Sequence, residues 1–310
     1  MIDTLRLWVD RCNIPGGNPF GILPCLSDVT DKHNKKYGYF HTGRLKNYFV
    51  SVYESGISLY GSLAKYLLGD NIQTLTRKDV QKAIKALGDD LHTDISAARV
   101  TRLDISNLLY TKHPPADYFR YLGEKPYFKR LEVAKDETLR YINYQRQIEF
   151  YDKAKEAEAH DTPIPENLQD MNLLRYEVRY LENINTQLEA DVTAGILHNR
   201  EFYDYLVKCW QNEFKTIQKL KKQSFMIDNI TTVKEAETAL FAHLLQQSGP
   251  STIGEFLNEL RAKDTFKDRQ RYCDIKRNLN KISATYEYSE KSDLMQELEV
   301  HIFDIAKYAR

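Results

Sequence analysis

The sequence predicts an α+β protein: an antiparallel-sheet domain with flanking helices over residues 1–190, followed by an all-α domain over residues 194–310. Three observations predict it. Up to residue 181 the apolar residues mostly alternate with polar ones, the period of a half-buried strand. From about Ala194 the apolar spacing changes to the helical period and keeps it. The length, 310 residues, exceeds a single small core and suits two ordinary domains.

The elements follow in order. Leu5, Leu7 and Val9 alternate with polar neighbours in a first strand, and residues 12–36, with Pro15-Gly16-Gly17-Asn18-Pro19, read as loop. Residues 45–53 and 57–63 read as two strands joined at Glu54-Ser55-Gly56, a hairpin signal. Residues 76–91 read as a helix: Thr76 suits an N-cap, Asp79 completes a variant of the capping box, and Val80, Ile84, Leu87 and Leu91 form its buried stripe. A strand over 99–110 follows, then a short helix opened by Pro114-Pro115 and ended by Gly123. Residues 127–133, 138–143 and 147–153 read as strands, 154–171 as a polar loop with Pro163 and Pro165, and 173–181 as the last strand. Phe202, Tyr205, Leu206, Cys209, Trp210, Phe214 and Ile217 mark one long helix. Four more are expected over 232–247, 252–263, 266–284 and 291–308, with a break at 248–251.

Composition excludes several classes. Net charge is zero, so any surface for a polyanion must be local. Cys12, Cys25, Cys209 and Cys273 form no CxxC pair, which argues against a zinc site or a disulfide framework and suits a reducing cytosol. The first residues break their apolar run with charges, unlike a signal peptide, and no stretch approaches the roughly 20 apolar residues of a membrane span. There is no GxxxxGK[ST], HExxH, GxSxG or His-x-His.

The informative pattern lies in three strands with one apolar and one charged face. Position parity puts Arg102 and Asp104 opposite Leu103 and Ile105; Glu149, Tyr151 and Lys153 opposite Ile148 and Phe150; and Arg175, Glu177 and Arg179 opposite Tyr176 and Val178. If the strands share a sheet, the charged sides converge. Magnesium uses one or two carboxylates with water and substrate phosphate, which makes Asp104 and Glu177 the candidate ligands. Tyr151 is the candidate nucleophile, a phenol that a metal or a cation such as Lys153 can activate. Residues 215–281 carry more Lys and Arg than Asp and Glu, chiefly Lys219, Lys221, Lys222, Arg269, Arg271, Lys276, Arg277 and Lys281, and so offer a second surface for DNA or a partner.

Five segments in this order resemble the filamentous-phage gene II replication proteins and, more distantly, plasmid replication initiation factors. They are Met1-Ile2-Asp3-Thr4-Leu5; Gly61-Ser62-Leu63-Ala64-Lys65 with Gly69-Asp70-Asn71; residues 98–104 ending in Arg102-Leu103-Asp104; Phe150-Tyr151-Asp152-Lys153; and Leu174-Arg175-Tyr176-Glu177-Val178-Arg179. The resemblance covers residues 1 to about 185 and weakens beyond. It implies a site-specific DNA nickase that initiates rolling-circle replication through a 5′-phosphotyrosine on Tyr151, with Lys153 assisting. A divalent cation, Mg²⁺ or Mn²⁺, would be held by Asp104 and Glu177, with Glu156 as a third acidic member. Lys65, Arg102, Arg175 and Arg179 would meet DNA phosphates. The expected partners are single-stranded or hairpin-extruded origin DNA, a host helicase (no ATP motif is present) and a host polymerase, in bacterial cytoplasm. The protein would be a monomer or homodimer from a phage or plasmid. A relaxase for conjugative mobilisation and a non-catalytic DNA-binding regulator are the alternatives.

Overall fold

In a computed structural model the structure is described for residues 1–35, 38–134, 136–220, 222–223, 230–248, 252–285, 289–290 and 292–308. The expected break at 248–251 lies outside these residues beyond Ser248, as does Lys221. Ten strands form one antiparallel sheet: β1 (Ile2–Asp10), β2 (Ser27–Asn34), β3 (Gly38–Leu45), β4 (Tyr48–Tyr53), β5 (Gly56–Ser62), β6 (Arg99–Thr111), β7 (Lys129–Ala134), β8 (Thr138–Ile142), β9 (Arg146–Asp152) and β10 (Asn172–Tyr180). Their spatial order is β2-β3-β4-β5-β1-β6-β10-β9-β8-β7. Two meanders therefore flank a centre made of β1, β6 and β10, strands far apart in sequence. The ten helices are α1 (Leu63–Leu68), α2 (Arg77–Asp90), α3 (Pro115–Phe119), α4 (Lys153–Ala159), α5 (Ile184–Gln187), α6 (Arg200–Lys215), α7 (Val233–Gln247), α8 (Thr252–Ala262), α9 (Gln270–Thr285) and α10 (Asp293–Tyr308). The α+β class with a helical C-terminal region is thus what the chain adopts.

One face of the sheet is the main core. Leu7, Val50, Val52, Leu59, Leu103, Ile105, Ile148, Phe150, Tyr176 and Val178 all point into it. The helix α2 covers one part of this face. Its capping box forms as the sequence predicts: the Thr76 hydroxyl accepts from the Asp79 amide, and the Asp79 carboxylate accepts from the Thr76 amide. The bond from the Thr76 hydroxyl holds the Asp79 carboxyl below its usual range. Thr76→Ala is expected to cost about 1 kcal/mol in urea unfolding at pH 7. Because the Asp79 value is depressed in the folded state, that difference should shrink as pH falls through it.

The unit boundary falls elsewhere than at 190–194. One compact unit comprises Met1–Lys219 with Asp293–Arg310, and the other comprises Leu220–Ser292. The physical reason is α6. Its face of Phe202, Tyr203, Leu206, Val207, Trp210 and Phe214 is buried. Trp210 lies 4.7 Å from the Tyr176 ring, and the Tyr176 hydroxyl donates to the Trp210 carbonyl at 3.0 Å. Likewise α10 buries Met295, Leu298 and Ile302 in the same core. Among its described residues the second unit has α7, α8 and α9 and a short ladder between residues 222–223 and 289–290. In it Arg269 and the α9 residues Arg271, Lys276, Arg277 and Lys281 are exposed.

Two strand assignments also differ. Residues 27–34, expected as loop, form β2, whose side chains are all exposed, so no apolar alternation marks it. The segment 45–53 is not one strand: Leu45 ends β3 and Tyr48 opens β4, with Lys46 in the left-handed region (φ 54°) at the turn. The hairpin at Glu54-Ser55-Gly56 forms where expected. A side chain at Gly56 would place its Cβ 2.3 Å from the Val9 carbonyl oxygen, a close approach only glycine permits. No described helix is long and apolar enough to cross a membrane.

Candidate active site

The three charged-face strands are neighbours, in the order β6-β10-β9, and their register stacks the predicted residues in rows. Arg179 stands opposite Asp104 on one side and Gln147 on the other; Glu177 opposite Ser106 and Glu149; Arg175 opposite Leu108 and Tyr151. Arg140 of β8 extends the middle row by facing Glu149. Directly opposite residues share a face at short range, so these rows are contacts as well as patterns.

Asp104, Glu149 and Glu177 converge on one guanidinium. Arg179 lies 2.5 Å from Glu149, 2.8 Å from Glu177 and 3.9 Å from Asp104. Arg102 grips Asp104 through both carboxylate oxygens, at 2.9 and 2.7 Å, and Arg140 pairs with Glu149. Asp104 is 1 % exposed. Burial pushes its carboxyl up to about 7 against the pull of Arg102, and the neighbouring Glu177 pushes the same way. The third carboxylate of the group is Glu149, not Glu156. Glu149 is visible in the sequence as a charged-face residue, but nothing in its own segment marks it as a partner of Arg179.

Tyr151, Lys153, Glu156 and Arg175 belong to a second, adjoining group. Arg175 is 1 % exposed, so in this structure its guanidinium reaches no surface phosphate. It donates to Asp3 Oδ2 at 2.8 Å, to Ser106 Oγ at 2.6 Å and to the Asn71 carbonyl. Its burial follows from a second apolar cluster, Ile72, Leu108, Leu168 and Leu173, which roofs this end of the face. Burial works against the guanidinium charge; the neighbouring Asp3 and Glu177 carboxylates outweigh it and keep the group cationic.

Lys153 does not continue the strand. Asp152 ends β9 and caps α4, its carboxylate accepting from the Ala154 and Lys155 amides at 3.0 and 3.2 Å. Lys153 is therefore the first residue of α4, 1 % exposed. Its ammonium donates to Asn71 Oδ1 at 3.0 Å and to Glu156 at 2.5 Å. Burial lowers its proton affinity, Glu156 restores part, and Arg175 lowers it further. Half-buried Tyr151 donates no hydrogen bond to a described residue. Burial raises its phenol well above the usual 10, Glu177 adds to this, and Arg175 opposes it. Lys65, on α1, is half-buried, and among the described residues its ammonium has no ion pair.

Asp3, Ser62 and Asn71 complete the arrangement. Ser62 caps α1 and donates to Asp3 Oδ1 at 2.5 Å, while Asp3 in turn receives Arg175. The turn Gly69-Asp70-Asn71 is thus more than a turn: Asn71 binds both Arg175 and Lys153. Four of the five sequence segments meet here, and the fifth, ending in Asp104, joins the adjoining group through Arg179.

Among the described residues no group of three or more His, Cys, Asp or Glu is disposed to hold a metal ion. Asp104 and Glu177 are paired with Arg102 and Arg179, so a cation would have to share them with those guanidiniums. The two carboxylates are hard-oxygen donors buried side by side, and a divalent cation completed by water and phosphate needs only one or two carboxylates.

A partly roofed antiparallel sheet that gathers buried carboxylates, arginines and a tyrosine defines a candidate phosphodiester-handling site. The chain belongs to the Phage_CRI family of replication-associated proteins, whose model of the N-terminal part matches residues 36–203, more than half the chain. No curated protein matches it. Family membership makes this a phage-type replication-associated protein and supports a role as a rolling-circle replication initiator acting at origin DNA.

Proposed function

We propose that the protein starts rolling-circle replication by nicking one strand of its origin with Tyr151. The observation that carries this reading is the convergence of Tyr151 from β9, Arg175 and Glu177 from β10, and Asp104 from β6 onto one face. The Tyr151 oxygen attacks the scissile phosphorus and forms a phosphotyrosine bond to the 5′ side. The bond to the 3′ oxygen breaks, and that oxygen takes a proton to become the free hydroxyl that primes synthesis. The phenol proton passes to water or to a neighbouring carboxylate. Arg175 offsets the cost of phenolate formation that burial and Glu177 impose. Asp3 and Asn71 hold Arg175 in place, and Lys153 in turn holds the Asn71 side chain. Mg²⁺ or Mn²⁺ at Asp104 and Glu177 would neutralise charge on the phosphate oxygens. Because the phosphotyrosine bond conserves the energy of the phosphodiester, the same site can rejoin strands without ATP.

Glu156 takes a positioning role through Lys153, Arg175 is the cation opposite Tyr151, and Arg102 and Arg179 stand beside the carboxylates further along the face. The test is to mix the full chain with single-stranded DNA of its own replicon and Mg²⁺ or Mn²⁺, then add SDS. The expected product is a DNA-linked protein band that EDTA prevents. Measurable origin binding without a band on any origin fragment would favour the regulator. In the same assay Asp104→Asn and Glu177→Gln are each expected to cut band formation about 10²-fold or more, by removing charge stabilisation at the phosphate. Normal metal-titrated nicking by both variants would place the cation elsewhere.

A further inference from the structure

The outer face of the other half of the sheet is unroofed where it leads into this site, and it carries a row of side chains that the nicking chemistry does not use. Arg44 of β3 stands opposite Phe49 of β4, Phe49 opposite Tyr60 of β5, Tyr60 opposite Arg6 of β1, and Arg6 opposite Arg102 of β6. The register leaves no freedom about sides, because Val50, Leu59, Leu7 and Leu103, one residue along each strand, are buried in the core. Arg6 and Arg44 are exposed, and Phe49 is 44 % exposed. Arg6 lies 4.7 Å and Arg102 5.4 Å from the centre of the Tyr60 ring, so that ring is held in a fixed pose by two cations. The row ends where Arg102 grips Asp104.

We propose that the row Arg44–Phe49–Tyr60–Arg6–Arg102 is a track for single-stranded DNA. Two aromatic rings stand between the guanidiniums of Arg44 and Arg6, and Arg102, paired with Asp104, closes the row at the nicking site. The next row, Thr42, Ser51, Ser58, Trp8 and Arg99, adds the Trp8 ring, while its Arg99 is paired with Asp10 at 3.2 Å. In a chain of zero net charge the exposed Arg44 and Arg6 make a local positive surface matched to phosphate, and the exposed Phe49 ring beside them is matched to an unpaired base. Five adjacent strands span about 19 Å, the scale on which sheet-borne aromatic residues stack two or three bases. Duplex DNA offers such rings no exposed base faces, which is why the occupant is single-stranded. That the strand continues to Tyr151 rests on the nickase reading; its lying on this row does not.

Fluorescence anisotropy of a labelled twelve-residue oligothymidylate with the full chain tests it. Phe49→Ala is expected to weaken binding about tenfold by loss of base stacking, with the salt dependence unchanged. Arg44→Gln should reduce the slope of log affinity against log salt by about 0.7. Both side chains are exposed, so folding is retained, and circular dichroism checks it. Lys85→Gln on α2, an exposed cation away from the row, should change neither quantity. A Phe49→Ala, Arg44→Gln double variant that binds like the unmodified chain, or equal affinity for duplex and single strand, would overturn the track. The SDS assay separates the two ideas. A Tyr151-linked band with unaltered binding by the double variant removes the track alone; weakened binding with no band removes the nickase alone.

Discussion

Tyr151→Phe should abolish the covalent protein–DNA band while leaving origin binding within a few-fold. The change removes one oxygen from a half-buried ring whose hydroxyl donates to no described neighbour, so folding has little to lose. Chemistry loses its nucleophile outright. The nearest core tyrosines do not substitute. Tyr176 and Tyr141 lie on the core face, their hydroxyls committed to the Trp210 and Gly123 carbonyls. Tyr60, on the outer face, stands on β5, with β1 and β6 between it and the strands that carry Arg175 and Tyr151. Mapping the DNA-linked peptide in the unmodified protein gives an independent check. A band that persists in Tyr151→Phe, or a peptide other than the one containing residue 151, would remove Tyr151 from the mechanism.

Arg175→Met should be the most damaging single change to stability, costing about 3–5 kcal/mol. It leaves the Asp3 carboxylate buried without its cation and also removes donors to Ser106 and the Asn71 carbonyl. Against a typical total of about 5–15 kcal/mol, this brings the fold near its limit. The Asp3→Asn, Arg175→Met double variant should recover a large part, because no unpaired charge then remains. Urea unfolding of the four proteins measures the coupling. A cost below about 1 kcal/mol for Arg175→Met would show that the buried pair does not hold the centre together. Arg175→Lys, which keeps the charge, should retain more stability than Met but still lose the three-way grip, since a single ammonium lacks the planar fork.

Much of the candidate site is legible in the sequence because strand parity is local. Arg102 with Asp104, Glu149 with Tyr151, and Arg175 with Glu177 and Arg179 occupy the faces that alternation assigns. Parity misplaces Lys153 because Asp152 serves twice, as the last strand residue and as a helix cap, and a period of two cannot show where the strand stops. Glu156 falls with a different group than Asp104 and Glu177 because spacing from Tyr151 carries no information about which cation it meets; that cation is Lys153.

By itself the sequence determined the α+β class, the capped helix after Thr76, the hairpin at Gly56, the long helices and the side on which each charged residue emerges. All of these depend on contacts within a few residues, where backbone periodicity and capping decide. Tertiary structure alone decided that β1 inserts between β5 and β6, so that Asp3 and Asn71 close on Arg175. It alone brought Glu149 to Arg179 and assigned α6 and α10 to the sheet unit. Those outcomes join residues separated by tens to hundreds of positions. They are settled by which apolar faces remain to be covered and which buried charges remain to be paired, quantities that exist only once the sheet has formed.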